Sequence, residues 1–209
     1  MAQSEFVQRV RIEHLVAIIR GPGAEGVEQV ARVLLAAGVR LVELPLTTPD
    51  ACTAIARLRS DAPPNALIGA GTVLTEDDVA EAVRAGAQFI VTPCLADSVR
   101  AATTAGLPVI CGAFSPAEIY AAYRSGAAIV KVFPASTGGP GHLKALRDPF
   151  PDIPLMPVGG VGLVEIPRYL AVGAIGVGVG GPLVGDAVRG GSLEALTRRA
   201  TDFLAAVQS

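Results

Sequence analysis

The chain has 209 residues, of which 51% are hydrophobic and only 17% charged, with a net charge of −2 and a mean hydropathy of +0.50. That length suits one large domain or two small ones, and the apolar excess points to strands buried on both faces. The absence of a basic block argues against a nucleic-acid partner, and no apolar stretch reaches membrane-span length without Gly, Pro or charge, so no membrane partner is expected.

The N-terminus, Met1 to Val10, has no apolar signal core, so export is not expected and the cytoplasm is the expected compartment. Residues 2–13 are predicted to form an extra helix. The first strand is Leu15-Val16-Ala17-Ile18-Ile19-Arg20. Val27, Val30, Ala31, Leu34 and Leu35 then follow the spacing of a one-sided helix. From there the chain repeats one pattern: a helix-like segment ends in Gly and an apolar strand follows. It does so at Gly38 before Leu41-Val42-Glu43-Leu44, at Gly86 before Phe89-Ile90-Val91, and at Gly106 before Val109-Ile110-Cys111. It does so again at Gly126 before Ile129-Val130-Lys131 and at Gly173 before Ile175-Gly176-Val177. Glycine there permits the left-handed turn that returns the chain to the sheet. The two longer gaps hold the strands Leu67–Val73 and Leu155–Gly160, and a last helix is predicted over about 192–207.

Eight strands at this period predict an α/β fold, a (β/α)8 TIM barrel closed at its bottom by the N-terminal helix, as a single domain over residues 1–209. The alternative is an open doubly wound sheet.

Of 17 basic residues, all but Lys131 and Lys144 are arginine. Lys144 follows a Gly/Pro-rich turn. Lys131 lies inside the strand-like run Ala128–Pro134, where a cation needs a partner or a task. Burial lowers a lysine's pKa and frees the amine as a nucleophile; the competing reading is a lysine reaching out from a strand end. Glu43 is the other charge set well inside an apolar strand. Alternation puts Ile129, Lys131 and Phe133 on one face, and Leu41, Glu43 and Pro45 on one face of the second strand. If both faces point inward, the pair is either a structural ion pair or a nucleophile with its proton shuttle.

In a barrel, function collects at the C-terminal strand ends. Gly159-Gly160 and Gly180-Gly181 end strands seven and eight, the usual corners for phosphate in this fold, where backbone N–H groups can approach the oxygens. No metal or cofactor is expected. Cys52, Cys94 and Cys111 have no ligand spacing, and their odd number suits a reducing compartment. His14 and His142 are far apart, and Asp77 and Asp78 read as acids of a helix's first turn.

Glu43-Leu-Pro-Leu, Gly69-Ala-Gly-Thr-Val73, Val91-Thr-Pro93, Lys131-Val-Phe-Pro134 and Val158-Gly-Gly160 together resemble the 2-keto-3-deoxy-6-phosphogluconate aldolase family, from about Leu15 to the C-terminus. Val42–Pro49 and Gly139–Leu146 look most like its branch acting on 2-dehydro-3-deoxy-6-phosphogalactonate. The resemblance implies a cofactor-free class I aldolase that yields pyruvate and glyceraldehyde 3-phosphate. It implies Lys131 as the Schiff-base lysine, Glu43 as general acid/base, and Thr72 and Pro93 lining the pyruvyl end. Gly159, Gly160, Gly180 and Gly181 would hold the phosphate, and the assembly would be a homotrimer. Gluconate-type members carry Arg where this chain has Thr47. The galactonate branch has a small polar residue there, which leaves Arg20 as the cation for a carboxylate or phosphate. Thr47 and Thr48 either bond substrate hydroxyls or start the next helix. Members usually carry Ser where Gly181 stands. The alternatives are a gluconate or 4-hydroxy-2-oxoglutarate aldolase of the same family, another phosphate-binding barrel enzyme with Lys131 purely electrostatic, and a non-catalytic phospho-ligand-binding barrel.

Overall fold

The computed structural model describes residues 1–208, so the final residue of the expected 1–209 span lies outside it. Eight short parallel strands form one sheet: β1 (Leu15–Ile18), β2 (Leu41–Pro45), β3 (Leu67–Gly71), β4 (Ile90–Thr92), β5 (Val109–Ala113), β6 (Ile129–Val132), β7 (Leu155–Pro157) and β8 (Val177–Val179). Their order is β7-β6-β5-β4-β3-β2-β1-β8, and a parallel bridge from Val158 to Gly178 joins the two ends. That bridge makes the sheet a barrel and excludes the open alternative, in which β7 and β8 would be edges.

Helices wrap the outside: α2 (Ala24–Ala37), α3 (Ala51–Asp61), α4 (Glu76–Arg84), α5 (Asp97–Thr104), α6 (Pro116–Arg124), α7 (Ala135–Arg147) and α8 (Ile166–Ala171), with α10 (Leu193–Ala206) last. The residues that predicted α2's inner face, Val27 to Leu35, are all buried in the outer core between helices and barrel. The predicted helix-ending glycines do turn left-handed, with φ of 113° at Gly38 and 97° at Gly126.

A second apolar cluster fills the barrel itself, from Val16, Leu41, Phe89, Val91, Ile110, Ile129, Met156 and Ile175. Helix α1 (Gln3–Glu13) caps it from below. Its Phe6 and Val10 are fully buried in that cluster, and the Phe6 ring meets Phe89 at 5.2 Å between centroids. The barrel is therefore open at one end only.

Two segments depart from the sequence reading. The Gly/Pro-rich stretch before Lys144 is helical, as part of α7, and it breaks only at Gly139, where φ 64° and ψ −174° let Pro140 open a second helical run. After β8 the chain forms a short helix α9 (Gly181–Val184) and a 3-10 turn (Ala187–Arg189) before α10 begins. Apolar periodicity does not mark these, because neither completes two helical turns.

Candidate active site

Leu41 and Ile129 lie in the barrel-filling cluster, so two-residue alternation carries Glu43 and Lys131 inward at the next level up. Both side chains reach a cavity of about 660 Å³ at the open end of the barrel. Lys131 is 7% exposed and Glu43 4%. Burial pushes the Lys131 amine below the ordinary lysine range, with Glu43 opposing that shift and Arg20 adding to it. Burial likewise raises the Glu43 carboxyl, while Lys131 and Arg20 pull it down. Each group thus favours its neutral form more than it would in water.

A structural ion pair would look different. Among the described residues no salt bridge of 4.0 Å or less includes Glu43 or Lys131. Among the described residues neither side chain makes a hydrogen bond, yet no buried side-chain nitrogen or oxygen there is left without a partner, so both polar ends open into the cavity. Glu28 on α2 is the contrast. It is as buried, at 5%, but its two oxygens meet Arg57 at 3.1 Å and Arg32 at 3.4 Å. Glu28 is a satisfied clip between α2 and α3, whereas Glu43 is left free to handle protons. The Lys131 Nζ lies 5.0 Å from the Phe133 ring centroid at the cavity rim.

The walls carry the other expected residues. Arg20, Thr72, Pro93, Gly159, Gly160, Gly180 and Gly181 all line the cavity. Thr72 follows β3 with φ 54°, a conformation that a β-branched residue adopts only under constraint. The constraint is visible on both sides of it: Gly71 O accepts from Leu46 N at 2.7 Å, and Val73 N donates to Val91 O at 3.1 Å. So held, the Thr72 hydroxyl lies 3.4 Å from Arg20 Nη2. Gly159 and Gly160 also have positive φ, 91° and 76°. A Cβ on Gly160 would stand 2.6 Å from that of Ser136, so the corner accepts no side chain without moving α7. Gly181 differs: a Cβ there meets nothing within 4 Å.

Thr47 is exposed and does not line the cavity. Its neighbour Thr48 is buried and accepts a hydrogen bond from Gly21 N at 3.3 Å, which ties the loop after β2 to the loop after β1. Cys94 is exposed beside Pro93, outside the lining. His142 stacks on Phe114 with 4.5 Å between centroids and lies 3.0 Å from its carbonyl, also away from the cavity. Asp78 caps α4 in a reciprocal box with Thr75. No three His, Cys, Asp or Glu side chains gather as a ligand set among the described residues, and no helix there is long and apolar enough to cross a membrane. Sequence reasoning missed Arg189, the third cation of the cavity wall. Its signal was faint: one basic residue in a glycine-rich stretch after the second Gly-Gly corner.

A buried, unpaired amine of lowered basicity can add to a carbonyl, and a carboxylate in the same cavity can move the protons that imine chemistry requires. Known proteins share this frame. The family model described as "Aldolase: KDPG and KHG aldolase" matches residues 6–198. A 2-dehydro-3-deoxy-phosphogluconate aldolase of Pseudomonas aeruginosa is 46% identical over 144 residues, covering 68% of this chain and 65% of that one. A probable 2-dehydro-3-deoxy-6-phosphogalactonate aldolase of Rhizobium meliloti is 37% identical over 194 residues, covering 92% and 90%. The solved KDPG aldolase of Legionella pneumophila, with pyruvate captured at low pH as a covalent carbinolamine, superposes with a TM-score of 0.85 at 29% identity, covering 93% and 96%. Together with a (β/α)8 barrel that brings one lysine and one glutamate into its open mouth, these matches make this chain a member of the KDPG and KHG aldolase family of carbon–carbon lyases.

Proposed function

We propose that the protein is a metal-independent class I aldolase that cleaves 2-dehydro-3-deoxy-6-phosphogalactonate to pyruvate and glyceraldehyde 3-phosphate. The observation that carries this reading is the buried Lys131 amine, held without an ion pair in one cavity with Glu43. Lys131 Nζ attacks the C2 ketone, and the carbinolamine loses water to give an iminium. Glu43 delivers the proton for that dehydration and then, as carboxylate, takes the proton of the C4 hydroxyl. The C3–C4 bond breaks, its electron pair becomes the C2–C3 double bond of an enamine as the iminium π pair moves to nitrogen, and glyceraldehyde 3-phosphate leaves. Protonation at C3 and hydrolysis return pyruvate and the free amine. Because the iminium accepts the electron pair, no divalent cation is needed.

Supporting the galactonate epimer are the Rhizobium relative and the small polar Thr47 in place of an arginine. The gluconate epimer is a second reading, favoured by the Pseudomonas relative's 46% identity. Side-by-side assays of the two epimers decide: the galactonate compound should give the higher kcat/KM, and a preference for the gluconate compound reverses the assignment. For the chemistry itself, borohydride with pyruvate should add a pyruvyl-derived mass. Lys131→Ala should abolish both trapping and cleavage and Lys144→Ala should spare both. Trapping of Lys131→Ala at the wild-type level would remove Lys131 from the mechanism. Activity should survive EDTA; loss on chelation, restored by Mg²⁺, would mean a metal-dependent reaction. The same reading makes the protein a cytoplasmic homotrimer, which light scattering of the purified protein would test for subunit number.

A further inference from the structure

We propose that the cavity's two arginines divide the substrate between them, Arg20 holding the carboxylate and Arg189 the phosphate, so that Arg189 is a specificity-determining residue for phosphorylated substrates. This rests on the aldolase reading above.

The cavity wall carries three cations, Arg20, Lys131 and Arg189, against the single carboxylate of Glu43. That excess suits a ligand with two anionic groups. A 2-keto acid presents its carboxylate one bond from the carbon that Lys131 attacks, and its C6 phosphate four carbon–carbon bonds beyond that carbon. The carboxylate must therefore lie beside Lys131 and the phosphate well away from it. Arg20 is the near cation. It follows β1, whose Ile18 pairs with Glu43, and it contacts Thr72 at the end of β3. Its charge acts on both Glu43 and Lys131, whereas that of Arg189 figures in neither environment.

Arg189 belongs to the other end. It follows the Gly180-Gly181 corner, in the 3-10 turn after α9. That turn is pinned. Arg189 N donates to Asp186 O at 2.9 Å, and a Cβ on Gly26 would stand 2.7 Å from Val188 O, so the turn lies directly on the start of α2. Arg189 is an exposed residue of the cavity lining, and its guanidinium makes no hydrogen bond or ion pair among the described residues. The nearby corner supplies backbone only, since Gly181 leaves open space where a side chain would add a donor. A planar guanidinium with paired N–H groups provides the charge and the bidentate geometry that this corner lacks.

The test compares wild type, Arg189→Met, Arg189→Lys and Arg20→Met. Arg189→Met should raise KM for the phosphorylated substrate on the order of 10- to 100-fold, the scale of a lost charge-assisted contact. Its kcat should stay within about threefold, since the contact does not change during reaction. Inorganic phosphate should inhibit wild type competitively and Arg189→Met far less, with Arg189→Lys between them. Borohydride trapping should show the opposite split, with Arg20→Met weakening pyruvate capture and Arg189→Met leaving it alone. An unchanged KM and unchanged phosphate inhibition in Arg189→Met would overturn the proposal, as would an equal loss of pyruvate trapping in both arginine variants. Failure of the aldolase reading would look different, with no pyruvate adduct on wild type and no cleavage. Binding of inorganic phosphate followed by phosphorus NMR, wild type against Arg189→Met, would still decide the role of Arg189.

Discussion

The side chain of Glu43 occupies the space that a Cβ on Gly71 would take: such a Cβ would overlap the carboxylate and stand 2.7 Å from Glu43 Cγ. The two residues are on neighbouring strands, and Pro45 on β2 is the register partner of Gly71. The bare backbone at Gly71 is what lets the carboxylate lie back against β3, clear of the Lys131 amine.

Gly71→Ala should therefore displace the carboxylate and lower kcat by about 10²- to 10⁴-fold, the range for losing a general acid/base. Glu43→Gln keeps the shape and should give a similar loss with an ordinary thermal melt, which separates misplacement from misfolding. If Gly71→Ala keeps wild-type kcat, the position of Glu43 does not matter to the rate.

The rate of pyruvate trapping should rise with pH through a midpoint below 10.5 and level off above it, because burial lowers the Lys131 pKa and only the free amine attacks. Arg20 disfavours the ammonium form, so Arg20→Met should move that midpoint upward. A midpoint at or above the ordinary lysine value would mean that Lys131 is not desolvated in solution.

The pair should also cost stability. Lys131 binds its proton less tightly folded than unfolded, so between its folded pKa and 10.5 stability rises with pH. Glu43 binds its proton more tightly folded, so from 4.5 up to its folded pKa stability falls as pH rises. At neutral pH both penalties act. Replacing both residues by Met should stabilise the fold by about 1–4 kcal/mol in urea denaturation while abolishing activity. A less stable double variant would show that the two charges support the fold.

Gly181→Ser tests the open space at the second corner. Its hydroxyl should add a donor toward the phosphate and lower KM severalfold without changing kcat. A raised KM would mean that the phosphate already fills that space.

Much of this was legible in the sequence. Apolar runs marked all eight strands, because each strand is buried on both faces, and helix-ending glycines such as Gly38 and Gly126 announced five of them, because those turns take a left-handed residue. Lys131 and Glu43 stood out because charge inside such runs is costly. Other features depend on distant partners and leave no periodic trace. Glu28 reads as an ordinary helix acid until α3 brings Arg57 to it. Alternation ends at Pro45, so nothing in the order Thr47-Thr48 says that the second is buried and the first exposed. Arg189 sits in a turn too short to have a face.

The plug formed by Phe6 and Val10 of α1 has a kinetic meaning. A barrel sealed below has one doorway, and the fragment nearer that doorway blocks the other's exit. In the proposed cleavage the aldehyde phosphate is the outer fragment and the pyruvyl enamine the inner, tethered one. Product departure must then be sequential, aldehyde before keto acid, and in the reverse direction pyruvate must enter first. Pyruvate should accordingly meet the empty enzyme, and the aldehyde only the enzyme already loaded.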